Sequence, residues 1–192
     1  TLSGLSKMFV IITRNFPPDI GGIQILMEGL SKGLVGHGPV KIFADSFKDS
    51  NNYDLNSSLD ISRISGFKLF RKYRKANIIA DFIKNNNNIR AIFSDHWKSI
   101  EHLNKEILRN IPIFCLMHSK EINHPIGTRN NTRMIKSLIK ADFIIANSNF
   151  TKNLAIKLGI KENSVKVIFP GINIPSQVDP DYNKKAEEIF SD

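Results

Sequence analysis

The chain has one cysteine, one tryptophan and no long apolar run. A single cysteine excludes an internal disulfide and a cysteine-based metal cluster, and it fits a reducing cytoplasm. No apolar stretch approaches the ~20 residues that a membrane-spanning helix needs. The first residues, Thr1 to Lys7, lack the apolar core of a signal peptide, so none is expected. Acids are also scarce: 18 Asp and Glu stand against 27 Lys and Arg, a net charge of +9. What remains, 41% hydrophobic and 23% charged residues in 192, is the composition of a globular protein able to bury a sizeable core.

The apolar pattern alternates between short strand-like runs and longer segments of helical period. Phe9 to Thr13, Val40 to Ala44, Ile89 to Phe93, Ile111 to Met117, Asp142 to Ala146 and Val165 to Phe169 read as strands. Between them, Ile23, Leu26, Met27, Leu30 and Leu34 share one helical face, and Leu69, Tyr73, Ala76, Ala80 and Ile83 another. Ile100, Leu103, Ile107 and Leu108 mark one further helix, and Met134, Ile135, Leu138 and Ile139 the next. Ser148 is placed to cap the helix carrying Leu154 and Leu158, which Gly159 ends. The polar stretch from Asp45 to Ser58 reads as an exposed loop. Continuous apolar strands alternating with helices predict an α/β domain, a doubly wound parallel sheet with helices on both faces.

In such a sheet the functional residues follow the strands' carboxyl ends. Four places qualify: Gly21-Gly22 with Ile23, Asp95-His96-Trp97, His118-Ser119-Lys120-Glu121, and Asn147-Ser148. Two glycines at a helix start let a ligand approach the backbone, and the free N–H groups of Gly21, Gly22 and Ile23 suit a phosphate or another anion. An ordinary turn would use the same glycines. His118, after an apolar strand and among polar residues, is expected to face a cleft. Asp95 suits ligand hydroxyls and Trp97 a stacking contact, while local packing is the competing reading for both. His37, His102 and His124 have no partner at ligand spacing, so no metal site is expected.

Together these residues carry a resemblance. Phe16-Pro17-Pro18-Asp19-Ile20-Gly21-Gly22, His118-Ser119-Lys120-Glu121, and the run from Ala141 through Asn147-Ser148-Asn149-Phe150-Thr151 to Phe169-Pro170-Gly171-Ile172-Asn173 stand in family order. The chain resembles the N-terminal domain of a family-4, GT-B, retaining glycosyltransferase. That resemblance implies a Rossmann-like domain over residues 1–173, then an interdomain linker from 174 to 192 leading to a donor-binding domain missing here. It implies a nucleotide-diphosphate sugar as donor substrate, with no cofactor or metal, and a glycan or lipid-linked acceptor. It makes His118 the leading catalytic residue, sets Gly21, Gly22 and Ile23 against the donor's phosphate or sugar, and gives Ser119, Lys120, Glu121, Asn147 and Ser148, with Asp95, His96 and Trp97, contacts to the acceptor or to a sugar. The half alone is expected to be inactive.

The basic residues Lys68, Arg71, Lys72, Arg74 and Lys75 fall within eight positions. They predict either a patch for an anionic membrane surface, at the cytoplasmic side, or a solvated helix face. Nucleic acid is not expected, because the dinucleotide fingerprint, the P-loop and aromatic-rich RNA-binding signatures are absent. The rival readings are half of a GT-B sugar-nucleotide epimerase and a non-catalytic nucleotide- or anion-binding module.

Overall fold

A computed structural model describes residues 6–108 and 110–171. The expected boundary near residue 173 and the segment 174–192 lie outside the described residues.

Seven parallel strands form one sheet: β1 (Met8–Thr13), β2 (Val40–Asp45), β3 (Asp60–Ile64), β4 (Ile89–Ser94), β5 (Ile113–Met117), β6 (Phe143–Ala146) and β7 (Val165–Val167). Their spatial order is β3-β2-β1-β4-β5-β6-β7. The order reverses at β1, which pairs with β2 on one side and β4 on the other. Ligands of open parallel sheets bind outside the carboxyl ends at such a reversal. The helices are α1 (Gly22–Val35), α2 (Ser50–Leu55), α3 (Lys68–Asn85), α4 (Trp97–Ile100), α5 (Lys105–Leu108), α6 (Ser119–Ile122), α7 (Arg129–Leu138) and α8 (Asn149–Lys157).

Alternation along the strands sends side chains into two cores. Val10, Ile12, Phe43, Ile92, Cys115 and Ile144 pack under α3, α4, α7 and α8, with Ile79, Ile83, Ile100, Met134 and Ala155. Phe9, Ile11, Ile42 and Ala44 pack on the other face with Met27 of α1. Helices on both faces explain why the central strands read as unbroken apolar runs. As expected, Ser148 caps α8 by accepting the Thr151 N–H at 3.1 Å, and Gly159 follows with φ 98°.

Three expectations are corrected. The polar stretch from Asp45 to Ser58 is not all loop, since it holds α2 and leads into β3. Ser50, buried, accepts the Phe47 N–H at 2.8 Å, and Arg63 of β3 grips Asp54 of α2 at 2.8 Å and the Pro17 carbonyl. These are tertiary contacts with no local periodicity to announce them. The single helix expected from Ile100 to Leu108 is two, α4 and α5, because Lys140 donates to the carbonyls of Ile100, Glu101 and Leu103 and ends the first. On α3 the buried apolar residues are Ala76, Ile79, Ala80 and Ile83, whereas Leu69 and Tyr73 are 66% and 50% exposed.

Candidate functional site

The β1–α1 loop, residues 14–21, crosses the sheet's reversal point and is fixed by one carboxylate. Asp95, just after β4, is fully buried. Its Oδ2 accepts from the Thr13 hydroxyl at 2.9 Å, the Arg14 N–H at 2.9 Å, the Asn15 N–H at 3.3 Å and Asn15 Nδ2 at 3.2 Å. Its Oδ1 takes the Ser99 hydroxyl at 2.6 Å. Farther along, Asp19 accepts from the Ile20 N–H and from Gln24 Nε2, tying the loop to the first turn of α1.

At that turn no side chain caps the N–H groups of α1. A Cβ added to Gly22 would meet nothing within 4 Å, whereas one on Gly21 would lie 2.4 Å from Gln24 Oε1. Gly22, His118 and Asn147 line a cavity of about 660 Å³, floored by Phe93, Leu116 and Ile145 and walled by Ile25 and Leu26 of α1 and by Ile168 and Phe169. This volume lies within the range of small-molecule sites, and an apolar lining with a few polar groups is their usual make-up.

His118 is half-buried at the end of β5, and its Nε2 has no hydrogen-bond partner among the described residues. Burial lowers its pKa, against an opposing pull from Asp95, so the imidazole is neutral at pH 7. Glu121 also has an unpartnered buried oxygen, Oε2, and burial together with Asp95 raises its pKa. Both residues line a small hollow beside His96 and Trp97. Ser119 is half-buried and Lys120 exposed on α6.

The roles expected of Asp95, His96 and Trp97 as direct sugar contacts are corrected. Asp95 spends both oxygens on the protein. Trp97 is 1% exposed, and its Nε1 donates to the Glu121 carbonyl at 3.0 Å. His96 is buried, its Nδ1 accepts the Lys98 N–H at 2.9 Å, and burial pushes its pKa down to about 3. All three hold the site's frame. Asn147 and Ser148 are likewise engaged, since Asn147 Oδ1 accepts the Thr151 hydroxyl at 2.7 Å, although Asn147 still borders the cavity.

The single basic face expected on α3 is also corrected. Lys75 is buried and bonds Asp45 at 2.6 Å and the Thr13 carbonyl at 2.9 Å. Arg71 leans toward Asp45 at 3.6 Å. Lys72 and Arg74 are exposed, and the Lys68 side chain lies outside the described residues. Sequence reasoning missed Arg14, Asp45, Lys98, Glu101 and Arg133, which gather at the carboxyl ends of β1 and β2 around a second cavity of about 470 Å³. The only signal was position, since Arg14 and Asp45 directly end strands.

Among the described residues no cluster of His, Cys, Asp or Glu is suited to a metal ion, and no helix is long and apolar enough to cross a membrane.

The Glycosyltransferase Family 4 model matches residues 20–175. The chain belongs to that family. Its sheet is Rossmann-like and matches the N-terminal domains of GT-B glycosyltransferases. Similar solved structures include Anabaena Alr3699/HepE in complex with UDP, with 15% identity and a TM-score of 0.68 over 96% of this chain and 50% of that one. The lipopolysaccharide outer core galactosyltransferase WaaB aligns with 12% identity and a TM-score of 0.63 over 88% of this chain and 47% of that one. The UDP-N-acetylglucosamine 2-epimerase of Rickettsia bellii aligns with 10% identity and a TM-score of 0.59 over 97% and 48%. The family-4 chain thus spans about half the length of each. No curated protein matches its sequence.

Proposed function

We propose that this family-4 domain is the acceptor-side half of a retaining glycosyltransferase that moves a hexosyl group from a nucleotide-diphosphate sugar to a glycan or lipid-linked acceptor. The observation that carries the reading is the 660 Å³ cavity shared by Gly22, His118 and Asn147 at the sheet's carboxyl edge. HepE, of similar fold, has been solved with UDP and with UDP-glucose.

As the anomeric bond breaks, negative charge builds on the leaving diphosphate. Uncapped N–H groups at Gly22 and Ile23 stabilise that charge without adding any of their own, and fixed dipoles need no reorganisation during the step. Neutral His118 offers one nitrogen to a sugar hydroxyl or to a carbonyl beside the reacting carbon. It need not take a proton, because with retention the leaving phosphate can accept the acceptor's proton. The hydrogen bonds of Asp95 keep the loop in place against the donor.

Transferase and epimerase readings separate by product. The protein that carries this domain together with a donor-binding half is expected to join the sugar to an acceptor, and His118→Ala to lower kcat at least a hundredfold with the fold intact. Release of a free epimerised sugar would overturn transfer, and an unchanged rate would reduce His118 to a structural residue.

A further inference from the structure

The second cavity, of about 470 Å³, shares no lining residue with the first. Six cations line it, Arg14, Arg71, Lys72, Lys75, Lys98 and Arg133, against three acids, Asp19, Asp45 and Glu101. The acids are already committed. Asp45 holds Lys75 and Arg71, Glu101 holds Arg133 through two bonds at 2.6 and 2.8 Å, and Asp19 is bonded to Ile20 and Gln24. Arg14, Lys72 and Lys98 make no ion pair among the described residues. The Lys98 ammonium instead lies 5.1 Å from the centre of the Trp97 ring, and that of Lys72 4.9 Å from the Tyr73 ring. Burial lowers the Lys98 pKa, and the charges of Arg14 and Arg133 lower it further, so these cations repel one another across the cavity.

Three unpaired cations on three separate elements, the β1–α1 loop, α3 and α4, are not a solvated helix face. Converging on one concavity, they suit an anion with several oxygens rather than a lone carboxylate, and a guanidinium fork matches phosphate geometry. We propose that this cavity seats a phosphate or diphosphate group of the acceptor, held by Arg14, Lys72 and Lys98. The assignment to the acceptor rests on the transferase reading, which gives the donor the cavity of Gly22 and His118.

The chain's sole tryptophan reports on the site, because Trp97 lies under Lys98 and Arg133. Titration with inorganic pyrophosphate is expected to change Trp97 emission and to saturate. Arg14→Gln and Lys72→Gln, both at exposed positions, should each weaken binding at least tenfold, while Lys157→Gln on α8 leaves it unchanged. No saturation, or equal affinity in all variants, would overturn the site. Farnesyl diphosphate and glucose 1-phosphate distinguish the sources: tenfold tighter binding of the isoprenyl compound marks a lipid-linked acceptor, and no such preference a soluble phosphorylated one. UDP is expected to bind no more tightly than pyrophosphate. A tenfold advantage for UDP would give this cavity to the donor and overturn the acceptor assignment. Failure of the transferase reading is separate, since it is read from nucleotide-sugar consumption by the two-domain protein and not from this titration.

Discussion

Asp95 accepts the Thr13 hydroxyl at 2.9 Å across 82 positions of sequence. That bond joins the end of β4 to the end of β1 at the sheet's reversal point, and the same oxygen takes two backbone N–H groups of the loop that follows. Asp95→Asn turns one carboxylate oxygen into a donor facing donors. Its expected cost is about 2–4 kcal/mol, because buried donors lose their acceptor. Urea unfolding measures this, and a loss under half a kcal/mol would show that the loop holds without Asp95.

Gly22 and Gly21 should respond differently to alanine. At Gly22 a Cβ meets nothing, so Gly22→Ala should leave the melting temperature unchanged or slightly raised. In the two-domain protein, however, it should weaken donor binding about tenfold by placing a methyl group where the ligand approaches. At Gly21 the new Cβ displaces Gln24 from Asp19, so Gly21→Ala should lower stability. Equal effects on stability, or full donor affinity in Gly22→Ala, would count against a ligand at this helix start. Calorimetry and thermal melts provide both readouts.

Stability should fall below neutral pH because of His96. Its folded pKa is pushed down to about 3, while an unfolded histidine titrates near 6.5. Between those values the unfolded chain holds a proton that the folded chain refuses. Folding free energy is therefore complete above about pH 6.5 and is lost as pH falls, at roughly 1.4 kcal/mol per unit. Denaturant midpoints between pH 7 and 5.5 test this. His96→Asn keeps an acceptor for the Lys98 N–H, and it should make the slope shallower; an identical slope would remove His96 as the cause.

Docking on an anionic membrane should depend on apolar residues beside the charges. Phe67, Leu69 and Phe70 are 69%, 66% and 70% exposed at the start of α3, next to exposed Lys72 and Arg74. Each basic residue near an anionic surface contributes on the order of 1 kcal/mol, and apolar insertion adds to it. The chain should co-sediment with anionic vesicles more than with neutral ones, and the Phe67→Ser, Phe70→Ser double variant should bind less. Binding equal for both lipids, or unaffected by the double variant, would refute docking through this surface.

Lys75 should act inside the protein. Lys75→Met removes the buried partner of Asp45 and leaves that carboxylate only the longer contact with Arg71 at 3.6 Å, so the expected cost is about 2–3 kcal/mol. A melting temperature within one degree of the wild type would show the pair to be dispensable.

The sequence by itself determined the parallel α/β class, because strands covered on both faces must be apolar throughout and must alternate with helices. It also placed Gly22, His118 and Asn147 at strand ends, since strand-then-loop order is local information. Tertiary structure alone decided which of the polar residues there stay free. Asp95, His96 and Trp97 follow β4 just as His118 follows β5, yet Thr13, Asn15 and Ser99 consume Asp95 and the Glu121 carbonyl takes Trp97. Lys75 reads as one more charge in a basic run until Asp45, 30 positions away, draws it inward. β3 was equally hidden, an edge strand whose Arg63 is fixed by Asp54 and Pro17. Partners distant in sequence leave no periodic trace, so burial and pairing of polar side chains emerge only when the sheet brings its edges together.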